Sequence, residues 1–188
     1  MKGTHYVIAL IVYIASIVLP IMISSRAISF IHVALYAVFS LIIIAGATID
    51  MHYYILPDEG ALVLVLGGIV YSFINDKSML VTIISVMSVG AITYGLRLIS
   101  HKGFGLGDVK WFSAIAMWLT PWEIVCFFYV AFCVGSLYLL LTSYRNQYIP
   151  FGPFLCFGGW CALHGGSYME VLYQWLRHNL YIINTALC

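Results

Sequence analysis

Two carboxylates stand at the edges of apolar segments, where a charge is costly. Asp50 closes the run A-G-A-T-I-D, and Asp108 ends the glycine-rich stretch G-F-G-L-G-D within residues 103–110. An acid costs about 2.5–3.5 kcal/mol at the centre of a membrane helix and less towards the interface. Only seven of the 188 residues are acidic, so two placed this way call for a purpose beyond ending helices. The glycines around Asp108, Gly105 and Gly107 among them, let the backbone come close to whatever that carboxylate acts on. The two acids also sit at opposite electrostatic ends of helices. The dipole at a helix C-terminus disfavours the ionised form of Asp50. Asp108 lies where a helix begins, can cap it through its side chain, and has Lys110 two residues on, all of which favour ionisation. One protonated and one ionised carboxylate can hydrolyse an amide without a covalent intermediate. The ionised member draws a proton from water while the other hydrogen-bonds the scissile carbonyl. On this reading Asp108 is the base and Asp50 the acid of a pair that titrates jointly.

The elements that must bring these acids together follow from composition. The chain is 63% hydrophobic and 8% charged, against about a quarter charged in a soluble domain. Its mean hydropathy is +1.03. These values exclude a soluble globule and point to an integral membrane protein in contact with the lipid bilayer, read as a single domain over residues 1–188. A net charge of +1 and the lack of any block of like charges argue against a nucleic-acid partner. Measured against about 20 helical residues per crossing, the sequence divides into an all-α, polytopic transmembrane bundle of about six to seven membrane segments.

The expected spans are Tyr6 to Ser24, read as retained rather than as a cleaved signal, then Phe30 to Ile49, Ala61 to Ile74 and Met79 to Ile99. A short apolar helix follows Asp108 as far as Leu119. After T-P-W a further span runs from Trp122 to Ser143, started by Pro121. F-G-P-F-L-C-F-G-G-W re-enters the membrane up to Leu163. The segment after Gly166 reads either as an interfacial helix or as a last crossing. An even number of crossings separates the loops of Asp50 and Asp108, so both face one side. Lys2, Arg97, Lys102, Lys110 and Arg145 fall on that side and Arg26 and Lys77 opposite, which makes it cytoplasmic.

Other reactive side chains have simpler readings. Asp58 and Glu59 in L-P-D-E-G fit the positive end of a helix begun by Pro57. His52 and His101 flank the two acids without a partner at metal-ligand spacing, so no metal and no other cofactor is expected. Tyr53 and Tyr54 read as interface aromatics. The five cysteines include no C-x-x-C and read as small hydrophobes. No G-x-S-x-G supports a serine nucleophile. The rival from another class is a small proton- or cation-coupled transporter, in which intramembrane acids bind the ion. No repeat relates the two halves of the chain, which counts against it.

Three ordered segments carry a family resemblance. I-D-x-x-x-x-x-L-P-D over Ile49 to Asp58, G-L-G-D-V-K over Gly105 to Lys110 and I-P-F-G-P-F-L over Ile149 to Leu155 resemble the hallmark blocks of type IV prepilin peptidases. These are polytopic membrane aspartic proteases of the G-x-G-D class. The 58 positions between Asp50 and Asp108 fit that pattern. The resemblance implies that these two residues are the catalytic pair, acting at the cytoplasmic face of the bacterial inner membrane. The substrate it implies is a prepilin or pseudopilin with a short basic leader, cleaved after a glycine before an apolar helix. It also implies that Gly105, Gly107, Lys110, Pro150, Phe151, Gly152 and Pro153 bind substrate or shape the site. Larger members of that family carry a cytoplasmic insertion with paired C-x-x-C motifs and methylate the new amino terminus. With only Ser24 to Ser29 between its first two expected spans and no C-x-x-C, this chain reads as a shorter form, for which the sequence leaves methyl transfer open. Its oligomeric state, and whether it serves a pilus or a secretion system, are not legible in the sequence.

Overall fold

A computed structural model describes Ile14 and residues 30–100, 104–142 and 149–165. The expected span Tyr6 to Ser24, the basic residues Lys2, Arg26, Lys102 and Arg145, His101, and both readings of the tail after Gly166 lie outside the described residues.

Among the described residues all regular structure is helical. Helix α1 covers Phe30–Tyr53, α2 Asp58–Ile74, α3 Met79–Ile99, α4 Leu106–Ala116 and α5 Pro121–Thr142, and α6 covers residues 152–165. Three of these, α1, α3 and α5, are long and apolar enough to cross a membrane. They are the second, fourth and post-proline spans expected from hydropathy. Helix α2, with 17 residues, is at the short end of what crosses a bilayer, and α4, with 11, is shorter than a crossing. The fold is thus an all-helical membrane bundle. Two boundaries move from their expected places, for physical reasons. Helix α1 continues past Ile49 to Tyr53, so Asp50 lies inside its last turn. Helix α2 begins at Asp58 rather than Ala61, because the acids Asp58 and Glu59 suit its electropositive first turn.

The long helices keep large apolar side chains on their outer faces, such as Leu80, Ile83 and Met87 on α3 and Leu140 on α5. That is what a lipid solvent permits and water does not. The short helix α4 is the opposite case and forms the centre of the core. Trp111, Phe112, Ile115 and Ala116 are fully buried, as is Trp118 just beyond its end. Trp111 and Trp118 lie seven positions, or two turns, apart and lock α4 against its neighbours. Their indole N–H groups donate to the carbonyls of Pro57 at 3.0 Å and Leu64 at 2.8 Å, so neither is left unsatisfied. Small residues make room for the rings. A β-carbon at Gly46 of α1 would overlap the Trp111 ring, and one at Gly60 of α2 would lie 2.6 Å from it.

The far end of α4 is also held. Lys77 donates to the Trp118 carbonyl at 2.6 Å and lies 4.7 Å from the centre of the Tyr71 ring. A cation there complements the carbonyl end of α4. The turn into α5 is fixed by a reciprocal cap. Glu123 accepts from the Thr120 backbone N–H at 2.7 Å, and the Thr120 hydroxyl accepts from the Glu123 N–H at 3.4 Å. Held at both ends, α4 delivers its first turn, and Asp108 with it, to a defined place.

Candidate active site

Asp50 is 5% exposed in the last turn of α1. Its Oδ2 accepts a hydrogen bond from the backbone N–H of Gly152 at 2.8 Å, across 102 positions of sequence. The approach is as close as the backbone allows. A β-carbon at Gly152 would lie 2.6 Å from Oδ2 and 2.8 Å from Cγ of Asp50, so only glycine fits here. Four residues after Asp50 the chain leaves α1 through Tyr54, whose φ of 57° is a conformation that glycine usually supplies. Tyr54 still closes the helix, its N–H donating to the Asp50 carbonyl at 2.9 Å.

Asp108 reaches the same region from α4. It is the third residue of that helix, and its Oδ2 accepts from the backbone N–H of Gly105, just before the helix, at 3.0 Å. This satisfies a donor that the helix geometry leaves free. Asp50 and Asp108 line one open cavity of about 720 Å³. Its walls come from the α1–α2 connection, the Gly105–Asp108 turn and Ile149–Phe151. Burial, opposed by the Gly105 hydrogen bond and reinforced by the charge of Asp50, pushes the Asp108 carboxyl up to about 6. Asp108 therefore lies close enough to sense the charge of Asp50.

That value corrects the expectation for Asp108. The side-chain cap is present, but Lys110 is engaged elsewhere. Its Nζ donates to both oxygens of Asp58, at 2.8 and 2.7 Å. With the cation turned towards α2, desolvation dominates and Asp108 holds its proton to higher pH than an ordinary carboxylate. The grounds for making Asp108 the base do not survive.

Among the other expected site residues, Gly105, Gly107, Pro150 and Phe151 line the cavity. Gly152 acts through its N–H. Lys110 stands behind the wall on Asp58, and Pro153 sits in the first turn of α6, outside the lining. Asp58 and Glu59 lie in the first turn of α2, as their helix-end reading requires, and both also face the cavity. His52 turns back onto its own helix, Nδ1 lying 2.8 Å from the Thr48 carbonyl oxygen. Tyr54, read as an interface aromatic, also borders the cavity. The Asp58–Lys110 pair is more than half exposed on both sides, and such pairs contribute only about 0.2–1 kcal/mol. Asp58→Asn is therefore expected to retain most of the activity of the site. Complete loss in a cleavage assay would move the functional pair to Asp58 and Asp108.

Sequence reasoning passed over four contributors. Phe104, Trp111 of α4 and Trp118 just beyond it carried no motif, since an aromatic in an apolar segment is ordinary until its neighbours are known. The Thr120–Glu123 cap did have a signal, T-x-x-E at a helix start.

Fold and site together define a helical membrane protein that presents two carboxylates to one cavity at the end of its bundle. Residues 37–140, more than half of the chain and including both Asp50 and Asp108, match the model of the Type IV leader peptidase family, and the chain belongs to that family. Among its relatives, the prepilin leader peptidase/N-methyltransferase of Dichelobacter nodosus is 29% identical over 143 residues, covering 72% of this chain and 50% of that protein. Its counterpart from Aeromonas salmonicida is 26% identical over 137 residues, covering 67% and 47% respectively. The leader peptidase HopD of Escherichia coli is 30% identical over 135 residues, covering 62% of this chain and 86% of HopD. The chain thus spans about half the length of the first two relatives and most of the third. No solved structure matches it. The transporter alternative finds no support in these matches.

Proposed function

We propose that this protein is an aspartic endopeptidase that removes the short basic leader from prepilin-like proteins at the cytoplasmic face of the bacterial inner membrane, with Asp50 and Asp108 as its catalytic pair. The observation that carries this reading is that carboxylates from α1 and α4 open onto one cavity, and each is held by a single backbone N–H. Among the described residues no second hydrogen bond engages either carboxylate, which leaves an oxygen of each for chemistry. The protonated member of the pair hydrogen-bonds the scissile carbonyl. The ionised member takes a proton from the attacking water and passes it to the departing amine, with no cofactor and no covalent intermediate.

The surroundings suit such a substrate. An apolar helix arriving through the bilayer must unwind at its end to expose the scissile amide, and a glycine there eases the unwinding. Gly105, Gly107, Pro150 and Phe151 form walls along which an extended segment fits, while Lys110 and Pro153 brace them from outside. Arg97 and Lys110, described at this end of the bundle, together with the basic residues that the sequence assigns to the same side, support a cytoplasmic orientation. We assign the peptidase step alone, without methyl transfer, as in a relative named only as a leader peptidase.

Co-expression with a prepilin, followed by gel mobility of the leader-bearing and processed forms, tests the activity. Leader removal in the wild type, lost in the aspartate variants discussed below, is the expected result. The pH dependence tests the pairing of the carboxylates. Rising pH through about 6 removes the proton from Asp108 and leaves two carboxylates with no donor for the carbonyl. In the purified full chain, kcat/KM should therefore fall above an apparent pKa near 6, since that ratio reports the free enzyme. The falling limb of kcat should lie at higher pH, because bound substrate excludes water and further disfavours the second charge.

A further inference from the structure

The two aspartates are held in the same way. Asp108 accepts from the N–H of Gly105 at 3.0 Å and Asp50 from that of Gly152 at 2.8 Å. Each of these glycines follows a phenylalanine, Phe104 in one case and Phe151 in the other. The two rings meet, with centroids 5.5 Å apart and planes inclined at 59°. A third ring joins them. Phe112, fully buried and one turn beyond Asp108 on α4, lies 5.9 Å from Phe104 and 6.1 Å from Phe151. Phe104 is itself buried, and its carbonyl accepts from Arg97 Nη1 of α3 at 2.8 Å. A packed aromatic junction therefore joins the turn that holds one carboxylate to the segment that holds the other.

We propose that Phe104 and Phe151 are positioning residues whose ring contact sets the separation of the two aspartates. The carboxylates take their places from two backbone amides. Each amide belongs to the glycine directly after one of the rings, so the spacing of the rings becomes the spacing of the amides and, through one hydrogen bond each, of the acids. Tilted aromatic pairs have a preferred distance and inclination that aliphatic side chains lack. Leucine fills much of the same space but leaves the two Phe–Gly units free to shift. This inference rests on the aspartic peptidase reading above, since it presumes that the distance between the acids matters.

The test is the cleavage kinetics of the full-length chain in detergent on a purified prepilin, comparing wild type with Phe104→Leu, Phe151→Leu and the double variant. A misplacement of about 1 Å in a catalytic group lowers the rate by about 100-fold. Each single variant is therefore expected to lower kcat by about 10- to 100-fold with KM little changed. The double variant should be no worse than the more damaged single, because both break one contact. The high-pH limb of kcat/KM should move to lower pH as the acids part. Phe151→Tyr, which keeps the ring, should restore kcat. Phe104→Met and Phe151→Met serve where a leucine variant does not stay monodisperse.

Wild-type kcat in both single variants overturns the inference, as do losses that multiply in the double variant. A rise in KM alone also overturns it, showing that Phe151 only contacts substrate. If Asp50→Asn or Asp108→Asn still cleaves, the peptidase pair itself is misassigned. If both aspartate variants are dead while the ring variants cleave normally, only the positioning role fails.

Discussion

Asn at position 50 or 108 is expected to abolish leader removal, lowering kcat/KM by at least about 1000-fold, since proton transfer by a placed side chain is commonly worth 10²–10⁴ in rate. The substitution is nearly isosteric, and the amide oxygen can still accept the N–H of Gly152 or Gly105. Asp50→Asn and Asp108→Asn should therefore fold and accumulate normally, so that the loss is chemical. Either change leaves one titrating carboxyl, which cannot both donate to the carbonyl and accept from water in the same step. Burial strengthens the expectation, because the carboxyl of Asp50 is shielded from the solvent that would otherwise stand in for it. The measurement is prepilin mobility on a gel at matched expression, followed by kinetics on purified protein. Full cleavage by either variant would remove that residue from the pair.

Gly152→Ala should be nearly as damaging, although it changes no ionisable group. The added methyl would lie 2.6 Å from Oδ2 of Asp50, so either the carboxylate swings away or the P-F-G-P segment moves. In both cases the hydrogen bond that orients Asp50 is lost, and an error of about 1 Å at the reacting centre costs about 100-fold in rate. The loss should fall on kcat. Gly107→Ala gives the contrast. Its β-carbon would meet the Cβ of Leu56 at 3.3 Å and the Leu56 backbone oxygen and nitrogen at 3.6 and 3.8 Å, so a shift of a few tenths of an ångström relieves the closest contact. Stopped-time cleavage assays on the two alanine variants, side by side, should find Gly107→Ala far more active. Equal activity would mean that the Gly152 amide does not position Asp50.

Much of this arrangement was legible beforehand. The bounds of α3 at Met79 and Ile99 and the start of α5 near Pro121 follow from hydropathy and proline geometry alone. Crossing parity placed Asp50 and Asp108 on one face, and both open onto one cavity. Where reasoning from sequence missed, the cause was a partner distant along the chain. Lys110 is two residues from Asp108, and sequence proximity assigned its charge there. In the fold it reaches Asp58 instead, 52 positions away. Without that cation, burial governs Asp108 and raises its carboxyl to about 6.

The amino-acid sequence by itself determined that this is a helical membrane protein and which two acids its hydrophobic segments must bring to one side. Those properties are local sums, of apolar length, of turn residues and of basic loops, and need no knowledge of contacts. The tertiary structure alone decided how the acids are held and what state they favour. Asp50 meets a glycine amide 102 positions away, Asp108 is desolvated beside it, and the rings of Phe104 and Phe151 join the two holders. These are matters of distance between segments remote in sequence, where each hydrogen bond and each excluded water depends on which surfaces have packed together.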